Sequence, residues 1–532
     1  MSEAAPARRP WLSGPASDLL LGCGGLFSIA FVVFALAGPE FFASLPPAVP
    51  ALLVYAIGMP HYGATLVRVY DHRDDRRAYW RFSIAATLAI AALFVIGLRA
   101  PLVASALFTL YLTWSPWHYA GQNYGIAMMF VRRRGVPLPE YAKRALRLSF
   151  MLSFALVFIL LHLEDKGVAI YRDVHLLPIG IPTAWATPLF GVILVGYVGA
   201  LLVFAIAALR AASPRELVPT LAIVGTQILW HSLPIAISGF GIHTELVPLA
   251  REQRAAFFTW IAAGHGVQYL WITSYYARSA DDWRGPWRYY AKALAAGTAI
   301  WTLPCVALAP GLLGVPSFSG FFLLLASVVN LHHFVLDGAI WKLRSARIAR
   351  VLIASDVSSQ RETRGPVRAL VWGLAGAGAL AAAVVFWTEN VALPAAVKRG
   401  SPRDTVRALD LLAWFQRDDS GARLWAARHI EASGDLGNAL PQYRRSLALK
   451  VDVPVLTDLV RIHFTRGEPR ELELVCRQLY GLVPEGERAS APTPPGACFR
   501  TAGAWRDKRA DEAAADAAIA RAQRDASLAL GY

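Results

Sequence analysis

The chain carries eleven apolar stretches of about membrane-span length, with soft ends at 16–38, 48–67, 82–98, 102–131, 146–163, 187–209, 217–237, 255–277, 291–313, 318–341 and 367–388. A bilayer interior is crossed by about 20 apolar residues in a helix. It also forces every backbone N–H and C=O to find its partner within the protein, which leaves only helices or closed barrels. Runs this long and continuous select helices. The apolar share of 56% over 532 residues and the mean hydropathy of +0.42 agree with that reading. The first stretch is longer than the apolar part of a cleavable leader, and no small-residue cleavage site clearly follows it. The expected fold is all-α: a polytopic transmembrane bundle of about eleven spans over residues 1–390, a linker at 391–403, and a soluble helical domain at 404–532.

A net charge of +15 invites a nucleic-acid reading until it is placed on this topology. With the N-terminus cytoplasmic, basic residues crowd the inner connections. Among them are Arg68, Arg73, Arg76, Arg77, Arg132, Arg133, Arg134, Lys143, Arg144, Arg284, Arg288 and Lys292, and seven more lie between 342 and 368. The outer connections hold only Arg99, Lys166, Arg172, Arg251 and Arg254. This is the positive-inside asymmetry, and it suits contact with anionic lipids. No basic stripe with interleaved aromatics appears, so no nucleic-acid partner is expected. An odd number of spans sends the C-terminal domain across the membrane, to the periplasm of a bacterial inner membrane.

Five of the apolar stretches carry histidine at mid-depth: His61, His118, His231, His265 and the pair His332 and His333. Ionisable groups in lipid are costly and turn toward partners inside the bundle, and imidazole is the commonest metal ligand. At 1.5 Å per residue, all six fall within a slab of ~10 Å in the inner half of the bilayer. Amide and acid groups at helical spacing could orient the rings: Gln122 and Asn123 after His118, Gln227 before His231, Gln268 after His265 and Asp337 after His333. Pro60 opens the backbone beside His61, while Gly58 and Gly63 allow another helix to come close. Trp114, Trp117, Tyr119 and Tyr124 could wall a pocket. Asp337 could instead pair with Lys342. His72, His162, His175, His243, His429 and His463 read as loop or surface residues. Asp71, Asp74 and Asp75, set among arginines, read as a solvated loop.

The run Gly58-Met59-Pro60-His61, followed by Gly63, resembles the Brp/Blh type of bacterial β-carotene dioxygenase. That resemblance implies an all-helical membrane enzyme that holds iron with histidines from several spans and cleaves a carotenoid. Only His61 carries over by motif; Tyr62 stands between it and the glycine, and the extra spans and C-terminal region have no counterpart. His332-His333 is similar to the paired histidines of membrane desaturases, without their full set of boxes. The expectation is a non-haem iron, held by some four of the six histidines, in an oxygenase acting on a lipid-soluble substrate. A haem or electron-transfer protein is the alternative. A transporter or scaffold and a lipid-linked glycosyltransferase are further readings.

Beyond 403, short amphipathic helices alternate with Gly-Asp and Gly-Glu turns. Gly434-Asp435 recurs as Gly467-Glu468, Tyr443 aligns with Cys476 and Leu449 with Leu482, each 33 residues on. This resembles the tetratricopeptide repeat, whose period is about 34 residues, and implies a surface for a protein partner. Helices at 404–417 and 508–529 could cap it, with a Pro- and Ala-rich loop at 485–497. Cys23 and Cys305 read as small buried apolar residues. Cys476 and Cys498 could form a disulfide in the periplasm, or stand as two thiols.

Overall fold

The computed structural model describes residues 10–37, 48–71, 73–164, 169–171, 174–232, 251–279, 283–308, 320–341, 350–354 and 366–482. They are overwhelmingly helical. The longer helices are α1 (Gly25–Ala37), α2 (Met59–Tyr70), α3 (Arg73–Gly97), α4 (Pro101–Arg133), α5 (Glu140–Leu161), α6 (Thr183–Ala211), α7 (Pro214–Gln227), α8 (Arg251–Ala277), α9 (Pro286–Ala307), α10 (Phe321–Ile340) and α11 (Pro366–Trp387). One antiparallel pair, β1 (Ala169–Tyr171) and β2 (Val174–His175), lies between α5 and α6. Two compact units are present, Met1–Thr302 with Gly320–Ala382, and Leu303–Ser319 with Ala383–Tyr532.

The described part of each of the eleven apolar stretches is mainly helical. Among the described residues, four helical stretches are long and apolar enough to cross a membrane: Glu140–Leu161, Thr183–Ala211, Phe321–Ile340 and Ala369–Lys398. A fifth is added if the pair Pro15–Gly22 and Gly25–Val33, bent by 60°, crosses as one. The others are shortened, broken or diluted by polar side chains. The stretch at 48–67 breaks at a π-helical turn, Val54–Gly58, and α4 carries Ser115, Pro116, His118, Gln122 and Asn123 in mid-helix. On α6, Trp185, Val192 and Val195 are about seven-tenths exposed. An apolar stripe of that extent marks contact with lipid or another apolar surface.

α10 is mostly buried and packs against α2, α3 and α4, while α8 packs against α2 and the turn before it. The four helices that carry His61, His118, His265 and His333 are therefore neighbours. Glycines set the closest approaches. A Cβ on Gly63 would lie 1.7 Å from the Ala293 carbonyl oxygen, and one on Gly297 would lie 1.7 Å from that of Met59. α2 and α9 thus cross backbone against backbone. Gly58 does not take part in this crossing, having only Val54 within reach.

In the second unit the stretch expected as a linker is helical through Lys398. Pro394 follows directly on the π-helical turn Thr388–Ala392, at the start of Leu393–Lys398. Five helices follow: α12 (Pro402–Ala413), α13 (Ser420–Ala432), α14 (Leu436–Leu449), α15 (Val453–Arg466) and α16 (Pro469–Leu482). Asp419 and Asp435 cap α13 and α14 through the backbone N–H groups of Ala422 and Asn438. Gly467 ends α15 in the left-handed conformation that an L side chain resists. Tyr443 and Cys476, the aligned repeat positions, are both buried in one core with Ala427, Leu456, Leu459 and Val460. Cys476 is disulfide-bonded; Cys498, the expected partner, lies outside the described residues, as do 485–497 and 508–529. Cys23 and Cys305 are buried thiols.

Candidate metal centre

Four helices aim imidazoles at one place. On α2, Pro60 occupies the first turn after the π-helical Val54–Gly58, and His61 follows it inward. On α4, Pro116 removes a ladder bond just before His118. His265 lies between Gly264 and Gly266 on α8. A Cβ on Gly264 would strike Trp230 at 2.4 Å; one on Gly266 would lie 2.9 Å from Ile57 and 3.5 Å from the Cβ of His61. The two glycines let α8 close onto the site. On α10, His333 and Asp337 share a face one turn apart.

His61, His265 and His333 each offer a ring nitrogen, and the three lie within 4.8 Å of one another. His118, His333 and the Asp337 carboxylate form a second group at the same spacing. Two ligands on opposite sides of one ion at about 2.1 Å would be about 4.2 Å apart, so both sets stand at near-ligand spacing. Ring centroids are 4.3 Å apart for His61 and His333, 4.8 Å for His61 and His265, 5.0 Å for His118 and His265, and 5.1 Å for His118 and His333. Buried here without a hydrogen-bond partner are His61 Nδ1 and the Nε2 atoms of His118, His265 and His333. A dry interior makes an unsatisfied polar atom costly.

The carboxylate is oriented rather than loose. Asp337 Oδ1 accepts from the Tyr269 hydroxyl at 2.5 Å and from Thr65 at 3.3 Å. Trp341 donates to the Tyr269 oxygen at 3.1 Å. Thr65 Oγ1 lies 2.7 Å from the Tyr269 hydroxyl and 2.8 Å from His333 Nδ1. With Asp337 ionised, as a cation ligand would be, counting protons assigns the roles. Tyr269 gives its only proton to Asp337, and Thr65 spends its own on Tyr269 or Asp337. Thr65 must therefore accept from His333 Nδ1–H, which leaves Nε2 with a free lone pair. Asp337 Oδ2 faces that Nε2 at 3.6 Å and the His118 Nε2 at 3.8 Å, beyond hydrogen-bond length. Lys342, the basic partner considered for Asp337, lies outside the described residues. Phe334 stacks on His118 at 4.5 Å, and Tyr119 lies 4.4 Å from His265. Tyr62 closes another side, its hydroxyl donating to Asn330 at 2.8 Å.

Not every candidate residue joins this group. His332 turns away, its Nε2 2.8 Å from the Thr87 hydroxyl. His231 is buried on the turn Ile228–Ser232, with Tyr119 between it and His265: the Tyr119 ring is 5.9 Å from His231. The amides bind other groups than imidazole rings. Gln122 donates to the His265 carbonyl at 3.3 Å and to Gln268 at 3.2 Å. Asn123 donates to Gln227, which donates to Ser153. These bonds tie helix to helix. Of the orienting groups expected from spacing, Asp337 alone lies beside imidazoles. Thr65 and Tyr269 were missed, although each stands four residues after a site histidine.

Three other readings are corrected. His162 is buried, 3.0 Å from Thr113, and accepts from the Ile179 N–H. His463 is buried against Glu468 at 2.6 Å. Asp71 is buried and paired with Lys292 at 3.0 Å. Of the remaining loop histidines, His429 is exposed on α13, and His72 and His243 lie outside the described residues. No family model, curated protein or solved structure matches the chain.

Proposed function

We propose that the chain is an integral-membrane enzyme with a histidine-ligated, non-haem iron centre, of oxygenase type, acting on a lipid-soluble substrate. One observation carries the reading: four buried imidazole nitrogens without hydrogen-bond partners belong to rings packed 4.3–5.1 Å apart, and two of those rings lie beside one carboxylate. A divalent cation would satisfy three of these groups at once, in either set. A mix of imidazole and carboxylate ligands is the donor set of non-haem iron oxygenases. His61, His265 and His333 would hold the ion, with His118 and Asp337 beside it. When bound, iron would supply the redox chemistry with dioxygen that none of these side chains possesses.

The chain's own residues do the rest. Thr65 keeps the proton on His333 Nδ1. Tyr269 and Trp341 hold Asp337 in position, and Tyr62, Tyr119 and Phe334 exclude water and offer an apolar wall. The resemblance at 58–63 makes a carotenoid-like polyene the first substrate class to try. In this reading the eleven helices span a bacterial inner membrane with the N-terminus cytoplasmic. The C-terminal helices, tetratricopeptide-like, face the periplasm and receive a protein partner. Against the haem alternative, the rings lean edge to face at 4.3–5.1 Å, with no slot between facing imidazoles for a macrocycle.

The test is elemental analysis and an absorption spectrum of the purified full chain. About one iron per chain with no Soret band is expected. A Soret band would transfer the reading to haem, and a chain that takes up no transition metal would end it.

A further inference from the structure

Further along α2 and α8, past the histidines, an open cleft of about 550 Å³, its mouth included, contains a second concentration of charge. Its lining brings together Arg68, Arg284, Arg288 and Lys292, against one carboxylate among the described residues, Asp71. Asp71 is already engaged by Lys292 at 3.0 Å. The cleft is built rather than incidental. Arg68 is buried, and its guanidinium lies over the Tyr276 ring at 4.1 Å. Trp283 and Tyr289 form further wall, and Gly285, at φ +99°, turns the chain between Trp283 and α9. Arg284 and Arg288 stand exposed at the mouth. Between them Trp287 is 82% exposed, as an aromatic residue at a membrane–water boundary would be. By the charge asymmetry of the connections, these cations lie on the positive side of the membrane.

We propose that this cleft binds a phosphate-bearing anionic headgroup. Guanidinium forks match phosphate oxygens in pairs. Basic pockets between spanning helices on this side of a membrane are where anionic headgroups collect. The cleft is independent of the metal reading: its ligand is an anion, and its lining includes none of the clustered histidines. The same chemistry would take a lipid phosphate or a free phosphate.

The experiment uses the full chain, wild type and R284Q/R288Q, with Trp fluorescence and the thermal midpoint as readouts. The probes are phosphatidylcholine nanodiscs with and without phosphatidylglycerol, and inorganic phosphate in neutral detergent. A response to phosphatidylglycerol alone identifies a lipid headgroup. Saturation by inorganic phosphate alone identifies a soluble anion. In either case the double variant should bind about thirty-fold more weakly, on the scale of about tenfold or less per basic residue. K143Q/R144Q, which removes two basic residues of α5 outside the cleft, should bind as wild type. The proposal is overturned if neither probe elicits a response, or if the two double variants lose affinity equally. Metal content should be the same in all three proteins.

Discussion

The Arg423 guanidinium in the C-terminal helices is as buried as the clustered imidazoles of the first unit, yet each of its nitrogens is bonded. Nε and Nη2 donate to Asp418, Nη2 also to Asp410, and Nη1 to Gln442. Asp418 in turn receives Arg445 at 2.8 Å. Around Asp337 the opposite holds: hydroxyls and an indole fix the frame, while one nitrogen on each of the four clustered imidazoles stays unbonded. A self-satisfied cluster needs nothing further and serves the fold. A cluster rigid at its rim and unsatisfied at its centre is complete only with something added. Imidazoles and a carboxylate at 3.6–3.8 Å are suited to a cation.

The comparison predicts opposite outcomes for deletions in the two clusters. The largest effect on metal is expected from His265→Ala or His333→Ala: bound metal should fall to background by elemental analysis, with helix content unchanged by circular dichroism. If either variant retained a full complement of metal, the two clusters would not differ in kind. The largest effect on stability is expected from Arg423→Ala. Removing one partner of a buried ion pair costs about 3–5 kcal/mol. Arg445 still faces Asp418, so the loss should lie near the low end, about 3 kcal/mol. Hydrogen exchange in α13 and α14 would detect it, and metal content should not change.

Which helices carry histidine could be read directly, because an ionisable residue stands out in an apolar run. Which way each ring points could not. His332 and His333 are adjacent and were equivalent on the page; the Thr87 hydroxyl, far off in sequence, draws one of them away. Spacing of four residues for Gln122 and three for Gln268 placed both on histidine faces, but a shared face does not name a partner, and those amides met each other and a backbone carbonyl. Thr65 and Tyr269 satisfy the same spacing and were passed over because they look like core residues. The helices themselves follow from apolar length. Their standing as spans does not, since the polar groups that build the site lower the apolarity by which a span is recognised.

Intermediate effects should sharpen the contrast around Asp337. Tyr269→Phe removes the 2.5 Å donor to Oδ1 and the partner of Trp341. Loss of such an orienting group weakens metal binding about 10–100-fold, measurable by competition with a chelator. Gln122→Leu should leave that affinity unaltered, because its bonds go to a carbonyl and an amide.

The smallest effect belongs to the satisfied region and depends on pH. Glu431 accepts both Arg461 Nη atoms at 2.7 and 2.8 Å and the Tyr443 hydroxyl at 2.7 Å. The Arg461 hydrogen bonds, more than any other cause, hold its carboxyl below the ordinary value of 4.5. A depressed carboxylate contributes stability that is fully present above the unfolded value and is lost as pH falls through the lower folded one. Exchange protection of α13–α15 in the full chain should therefore decline on acidification below about pH 4.5. In Glu431→Gln the protection should start lower at neutral pH and decline less. A variant whose acid limb matched the wild type would place the acid sensitivity of these helices on other carboxylates, Glu468 beside His463 first among them.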